Sequence, residues 1–219
     1  MDEIEGLLRR EGVVTLATIE DASNAVPLAQ ALASGGLNVI EVALRTPESM
    51  QAIREIAASS VSMRVLAGTV LTIEQANEAL ECGATGLVSP GFSPQLSRWA
   101  LERDVAYVPG VATPSEIMSA LDHGHTALKF FPASHLGGLS ALGALCAPFS
   151  HRGISFMMTG GMTSDDVRGA LSASYVSAVG GSWIAPKELL ALGDWDGIAE
   201  NARAARALVI DARGEQVSP

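Results

Sequence analysis

Short apolar runs rich in Val, Ile and Leu alternate with longer Ala-rich stretches whose apolar residues recur at helical spacing. The short runs predict strands over residues 13–19, 39–44, 63–67, 86–89, 105–108, 127–131, 154–158 and 176–179. Each is followed by a helical pattern, as at 22–33, 47–58 and 72–82. Strands joined by crossover helices run parallel. Eight such units in 219 residues predict a single α/β domain, a (β/α)8 TIM barrel over 1–219, with an extra N-terminal helix over 2–10 across the N-terminal mouth. An open doubly wound sheet is the alternative. Helix starts are marked by Thr46 before Pro47, by Thr113 before Pro114 with Glu116 in the capping-box position, and by Thr163 and Ser164 before Asp165 and Asp166. Glycines at 35–36, 83 and 124 read as helix stops, and 213–219 as a polar tail.

Composition narrows the partners. With 14 Lys+Arg against 24 Asp+Glu the formal charge is −10, and no basic run could neutralise several phosphates, so nucleic acid is not an expected partner. No apolar run is long enough for a membrane span, and the acidic N-terminal segment does not read as an export signal, which predicts a cytoplasmic protein without a membrane partner. Cys82 and Cys146 stand apart from each other and from any metal-ligand spacing, and read as small buried hydrophobes.

In such a barrel, chemistry sits at the C-terminal ends of the strands. The second predicted strand reads NVIEVALRT, and period two puts Glu41, Ala43 and Arg45 on one face. Unpaired charges cannot face the helix layer cheaply, so that face points into the barrel, as a reactive group or as a salt-bridged plug. The sixth reads HTALKFFPA and places Lys129 among apolar neighbours. Burial and a nearby Arg45 would lower its pKa and free the amine to form a Schiff base with a ketone, whereas a snorkelling lysine would do nothing. The seventh and eighth end in MTGGM and VGGSW, and Gly160, Gly161, Gly181 and Ser182 there can cradle a phosphate with backbone N–H groups, Ser182 at the start of the next helix. His123 and His125 would be the first suspects for a metal site, but they precede a strand and lack partners, while His135 and His151 read as solvated loop residues.

EVALRT (41–46), AGTV (67–70), SPG (89–91), PGVATPSE (109–116), KFFPA (129–133), TGGM (159–162) and GGSW (180–183) together resemble the bacterial 2-keto-3-deoxy-6-phosphogluconate (KDPG) and 4-hydroxy-2-oxoglutarate (KHG) aldolases. The resemblance runs in order through nearly the whole chain. It implies a class I aldolase on a (β/α)8 barrel, usually a homotrimer, needing no cofactor and no metal, with a small 2-keto acid as substrate. By position it makes Lys129 the Schiff-base lysine and Glu41 the general acid/base. Arg45 and Thr69 would hold the pyruvyl carboxylate, Pro90 and Phe131 would line the site, Thr159 would sit near the substrate, and Gly160, Gly161, Gly181 and Ser182 would take the phosphate. Thr15 stands where the family often has Pro, and Ala17 where some members have an Arg that reaches the substrate, so these two leave the choice of substrate open; Leu66 and Met158 also depart from the pattern and are expected to reshape the pocket wall. Substrates of the resemblance are KDPG, KHG or the galactonate analogue; a non-catalytic phosphate-binding barrel is the other reading.

Overall fold

A computed structural model describes residues 3–214. The expected helix start at residue 2 and the tail residues 215–219 lie outside the described residues. The strands are β1 (Val13–Ala17), β2 (Val39–Ala43), β3 (Arg64–Gly68), β4 (Gly86–Val88), β5 (Tyr107–Val108), β6 (Gly110–Val111), β7 (Ala127–Phe130), β8 (Ser155–Thr159) and β9 (Val176–Gly181). They form one parallel sheet in the order β5-β4-β3-β2-β1-β9-β8-β7-β6. β5 and β6 are two halves of one barrel strand broken at Pro109, which has no N–H to give to a ladder. The first half bonds β4 and the second bonds β7, while the Pro109 carbonyl accepts from the Lys129 N–H at 2.9 Å, so the sheet closes through this strand. The barrel therefore has the eight staves that the sequence pattern predicts, the fifth running to Val111 instead of ending at Val108.

The helices are α1 (Glu3–Glu11), α2 (Ala25–Ser34), α3 (Ser49–Ala58), α4 (Ile73–Glu81), α5 (Pro94–Glu102), α6 (Pro114–Asp122), α7 (Gly138–Cys146), α8 (Ser164–Leu171), α9 (Lys187–Leu192) and α10 (Trp195–Arg213). The Thr113–Glu116 capping box forms as predicted, and the Asp166 carboxylate accepts from the Thr163 N–H at 2.8 Å. Thr46 behaves differently. Its hydroxyl donates to the Ile19 carbonyl at 2.5 Å, tying the ends of two neighbouring strands together, and α3 begins only at Ser49. Gly35 does more than end α2: a Cβ there would fall 2.4 Å from the Ala202 Cβ, so its bareness lets α10 lie against α2.

Two cores share the strands. Outward residues such as Val13, Ile40, Val42, Phe156 and Val179 pack under the Ala-rich helices. Inward residues Val14, Val39, Leu66, Val88, Val108, Ala127, Met157 and Ala178 fill the N-terminal half of the barrel, and Ile4, Leu7 and Leu8 of α1 join them. α1 thus covers the N-terminal mouth, as its apolar stripe predicts, and the apolar filling stops where the C-terminal half turns polar.

This division corrects the expected effect of one departure. Met158 packs with the outward cluster and does not wall the barrel interior; Thr15 and Ala17 share the outward face of β1 with Val13. Leu66 does face inward, one pleat below Gly68. Cys82 and Cys146 are free thiols buried in the core, and burial pushes the Cys146 thiol up from its ordinary pKa. No described helix is long and apolar enough to cross a membrane.

Candidate active site

Glu41 on β2 and Lys129 on β7 meet inside the barrel although 88 residues separate them, with Lys129 Nζ donating to Glu41 Oε1 at 2.9 Å. Their exposures are 1% and 5%, so the pair is withdrawn from water. The charged face of β2 does point inward, and the partner of Glu41 is Lys129 and not Arg45, so the alternative of a Glu41–Arg45 plug does not form. Arg45 lies beyond the strand end, exposed at the mouth, where its Nε donates to Thr69 Oγ1 at 3.2 Å.

Space for the Glu41 carboxyl depends on Gly68. A Cβ at Gly68 would fall 2.3 Å from Glu41 Oε1 and 2.8 Å from its carboxyl carbon. The next residue, Thr69, adopts φ +59°, a left-handed conformation that is costly for a β-branched side chain and is held here from behind. Tyr107 donates to Ser89 Oγ at 3.0 Å and Ser89 donates to the Val70 carbonyl at 2.6 Å, pinning the segment that offers Thr69 to Arg45. Burial pushes the Tyr107 phenol above its ordinary pKa, so it remains the protonated donor this chain of bonds requires.

Phe131 lies beside the lysine, its ring centroid 5.5 Å from Nζ. Pro90 is half-buried against β6, where a Cβ at Gly110 would come within 2.3 Å of the Pro90 carbonyl group. Thr159 shares the inward face of β8 with Met157, and its buried Oγ1 has no hydrogen-bond partner among the described residues. Gly160 and Gly161 have φ +95° and +74°, turning the chain sharply at the rim.

Gly181 has a different cause. The Trp183 indole occupies the space a Cβ would take, 1.9 Å away, so packing alone requires glycine there. Ser182 is exposed, but it does not open a helix: residues 182–186 are irregular and α9 starts at Lys187. The expected helix N-terminus at Ser182 is therefore absent, because Pro186 delays helix entry.

His123 and His125 lie at the helix end before β7, bonded to the Ser119 carbonyl (2.8 Å) and Ser97 Oγ (2.6 Å) respectively. Among the described residues no group of three His, Cys, Asp or Glu side chains is arranged to hold a metal.

The profile of the KDPG and KHG aldolase family matches residues 4–201. The chain belongs to that family. It is accordingly an aldolase, a carbon–carbon lyase. The KHG/KDPG aldolase of Escherichia coli K12 is 40% identical over 201 residues, 92% of this chain and 93% of the relative. The 2-dehydro-3-deoxy-phosphogluconate aldolase of Pseudomonas aeruginosa is 38% identical over 202 residues, 92% of this chain and 91% of the relative. Among solved structures, the KDPG aldolase of Zymomonas mobilis with 3-phosphoglycerate has a TM-score of 0.88 and 38% identity, covering 95% of this chain and 97% of its own. The KDPG aldolase of Legionella pneumophila, with pyruvate captured as a covalent carbinolamine, has a TM-score of 0.88 and 34% identity, covering 92% and 97%.

Proposed function

We propose that this chain reversibly cleaves KDPG to pyruvate and glyceraldehyde 3-phosphate, KHG to pyruvate and glyoxylate, or both, through a Schiff base on Lys129. The observation that carries the reading is the buried Lys129–Glu41 pair at 2.9 Å. At that distance one proton can pass from the ammonium to the carboxylate, leaving an amine that adds to the C2 ketone. Glu41 then returns the proton to the carbinolamine oxygen, water leaves, and the iminium so formed is an electron sink. The carboxylate next takes the C4 hydroxyl proton, the C3–C4 electrons flow into the iminium, and the aldehyde departs. Protonation of the enamine at C3 and hydrolysis release pyruvate and restore the amine.

Arg45 and Thr69 at the mouth offer a guanidinium and a hydroxyl to the pyruvyl carboxylate, fixing the keto carbon against Nζ. The unpartnered Thr159 hydroxyl is available to a substrate oxygen, and the turn at Gly160 and Gly161 presents backbone to a phosphoryl group. In keeping with the family resemblance, the assembly is read as a cytoplasmic homotrimer, which sedimentation measurement checks.

The chain has two lysines, Lys129 and Lys187, and Lys187 is an exposed residue paired with Glu20 at 3.0 Å. Borohydride reduction in the presence of pyruvate, followed by peptide mass mapping, is expected to put the adduct on Lys129. An adduct on Lys187, or none, overturns the assignment.

A further inference from the structure

The segment that follows Lys129 does not leave the barrel mouth. After Phe131 and Pro132 the chain folds back over the end of β8, where the Ala133 N–H donates to the Thr159 carbonyl at 2.8 Å and the Ser134 N–H to the Gly160 carbonyl at 2.9 Å. These two bonds lie past the last paired residues of β7 and β8 and hold the single 3-10 turn Ser134–Leu136 against the glycine turn. A Cβ at Gly161 would fall 2.8 Å from the Ser134 Cβ, 3.3 Å from Ser134 Oγ and 3.7 Å from His135 Nε2. An exposed hydroxyl and an exposed imidazole therefore overlook the bare backbone of Gly161 from the side opposite β9.

The charges around this turn are sparse. Segments 131–138, 159–164 and 180–186 hold no lysine, arginine, aspartate or glutamate; Asp165 and Asp166 follow at the start of α8 and Lys187 at the start of α9, and His135 is the one residue within these segments whose side chain can carry positive charge. In a protein of net charge −10, an anion reaching this turn meets side-chain donors at Ser134 and His135, besides the exposed Ser182 hydroxyl.

We infer that His135, with Ser134, completes the anion site over Gly161 and biases this aldolase toward substrates whose aldehyde half ends in a phosphoryl group. The inference rests on the aldolase reading above and adds to it a choice between substrates. In KHG the terminal carboxylate is attached directly to C4, beside the bond that breaks. In KDPG the phosphorus lies beyond C5, C6 and a bridging oxygen, and a donor placed at the rim is within reach only of the longer molecule. An imidazole N–H donated to a phosphoryl oxygen is a hydrogen bond to a charged group, whose loss weakens binding by roughly tenfold or more.

The test compares wild type with His135→Ala, a substitution at an exposed position. The ratio of kcat/KM for KDPG to that for KHG is expected to fall roughly tenfold, chiefly through KM for KDPG. Independently of turnover, the chain's four histidines allow the His135 imidazole proton signals to be assigned by their loss in the variant. These signals are expected to move on titration with 3-phosphoglycerate and to stay in place with glycerate. An unchanged substrate ratio, or His135 signals indifferent to 3-phosphoglycerate, overturns the inference. Failure of pyruvate trapping on Lys129 would instead strike the aldolase reading, while the titration would still report on His135.

Discussion

At the scale of single residues, the site depends on two charges whose environment leaves them little freedom. Replacing Glu41 by Gln keeps the size of the side chain but removes the proton carrier, so kcat is expected to drop by about two to four orders of magnitude with an unchanged circular dichroism spectrum. Gly68→Ala tests the same carboxylate from outside. The new methyl would need the space now held by Glu41 Oε1, 2.3 Å away, and activity should fall without any reacting group being removed. Ser182→Ala is expected to be selective, raising KM for the phosphorylated substrate by roughly tenfold and leaving KHG less affected. Substitutions at Gly161 and Gly181 are poorer probes of phosphate binding, because a Cβ collides with Ser134 or Trp183 before any ligand arrives. Lys129 and Glu41 were legible in the sequence because charges amid apolar strand residues must be explained. Spacing within a strand gives the face of a side chain but not its partner across the barrel, and so the sequence leaves a Glu41–Arg45 pair open beside the reactive-group reading. His135 was read as solvated for a related reason: sequence shows that it follows KFFPA, not that two backbone bonds return it to Gly161.

At the scale of elements, the segment after β3 shows how the outer core supports the inner site. Tyr107, Ser89 and Val70 form a buried chain of hydrogen bonds behind Thr69, so Tyr107→Phe should cost about 1 kcal/mol of stability near neutral pH. The pH dependence has a definite sign. The folded-state pKa of Tyr107 is raised by burial, so its contribution is complete below the unfolded value near 10 and is lost as pH rises through and above it. Urea titrations at pH 8 and pH 10.5 are expected to show wild type losing more stability than Tyr107→Phe over that interval. The order of elements could be read from alternation alone, since parallel crossovers leave few topologies. The break of the fifth stave at Pro109 could not, because only the ladder shows that its two halves serve different neighbours. Thr46 and Ser182 are of residue types that start helices, but the Thr46 hydroxyl donates to the Ile19 carbonyl and Ser182 stands five residues before α9, neither of which residue type alone reveals.

At the scale of the whole molecule, α1 and the C-terminal mouth are separate in role. Leu8 is fully buried among the inward residues of the N-terminal half, and Leu8→Ala is expected to cost about 2–5 kcal/mol in urea unfolding, with kcat preserved at temperatures where the protein stays folded. The same plug makes the barrel a blind-ended tube. Among the described residues the open end is the mouth beside Arg45 and the glycine turn, and in the proposed mechanism the pyruvyl unit, bonded to Lys129, sits on the floor. In the condensation direction an aldehyde arriving first would stand in the path of pyruvate, so the geometry imposes a queue in which pyruvate is first in and, in cleavage, last out. Steady-state patterns should show it: high concentrations of aldehyde are expected to slow pyruvate entry and inhibit condensation, an inhibition relieved by raising pyruvate.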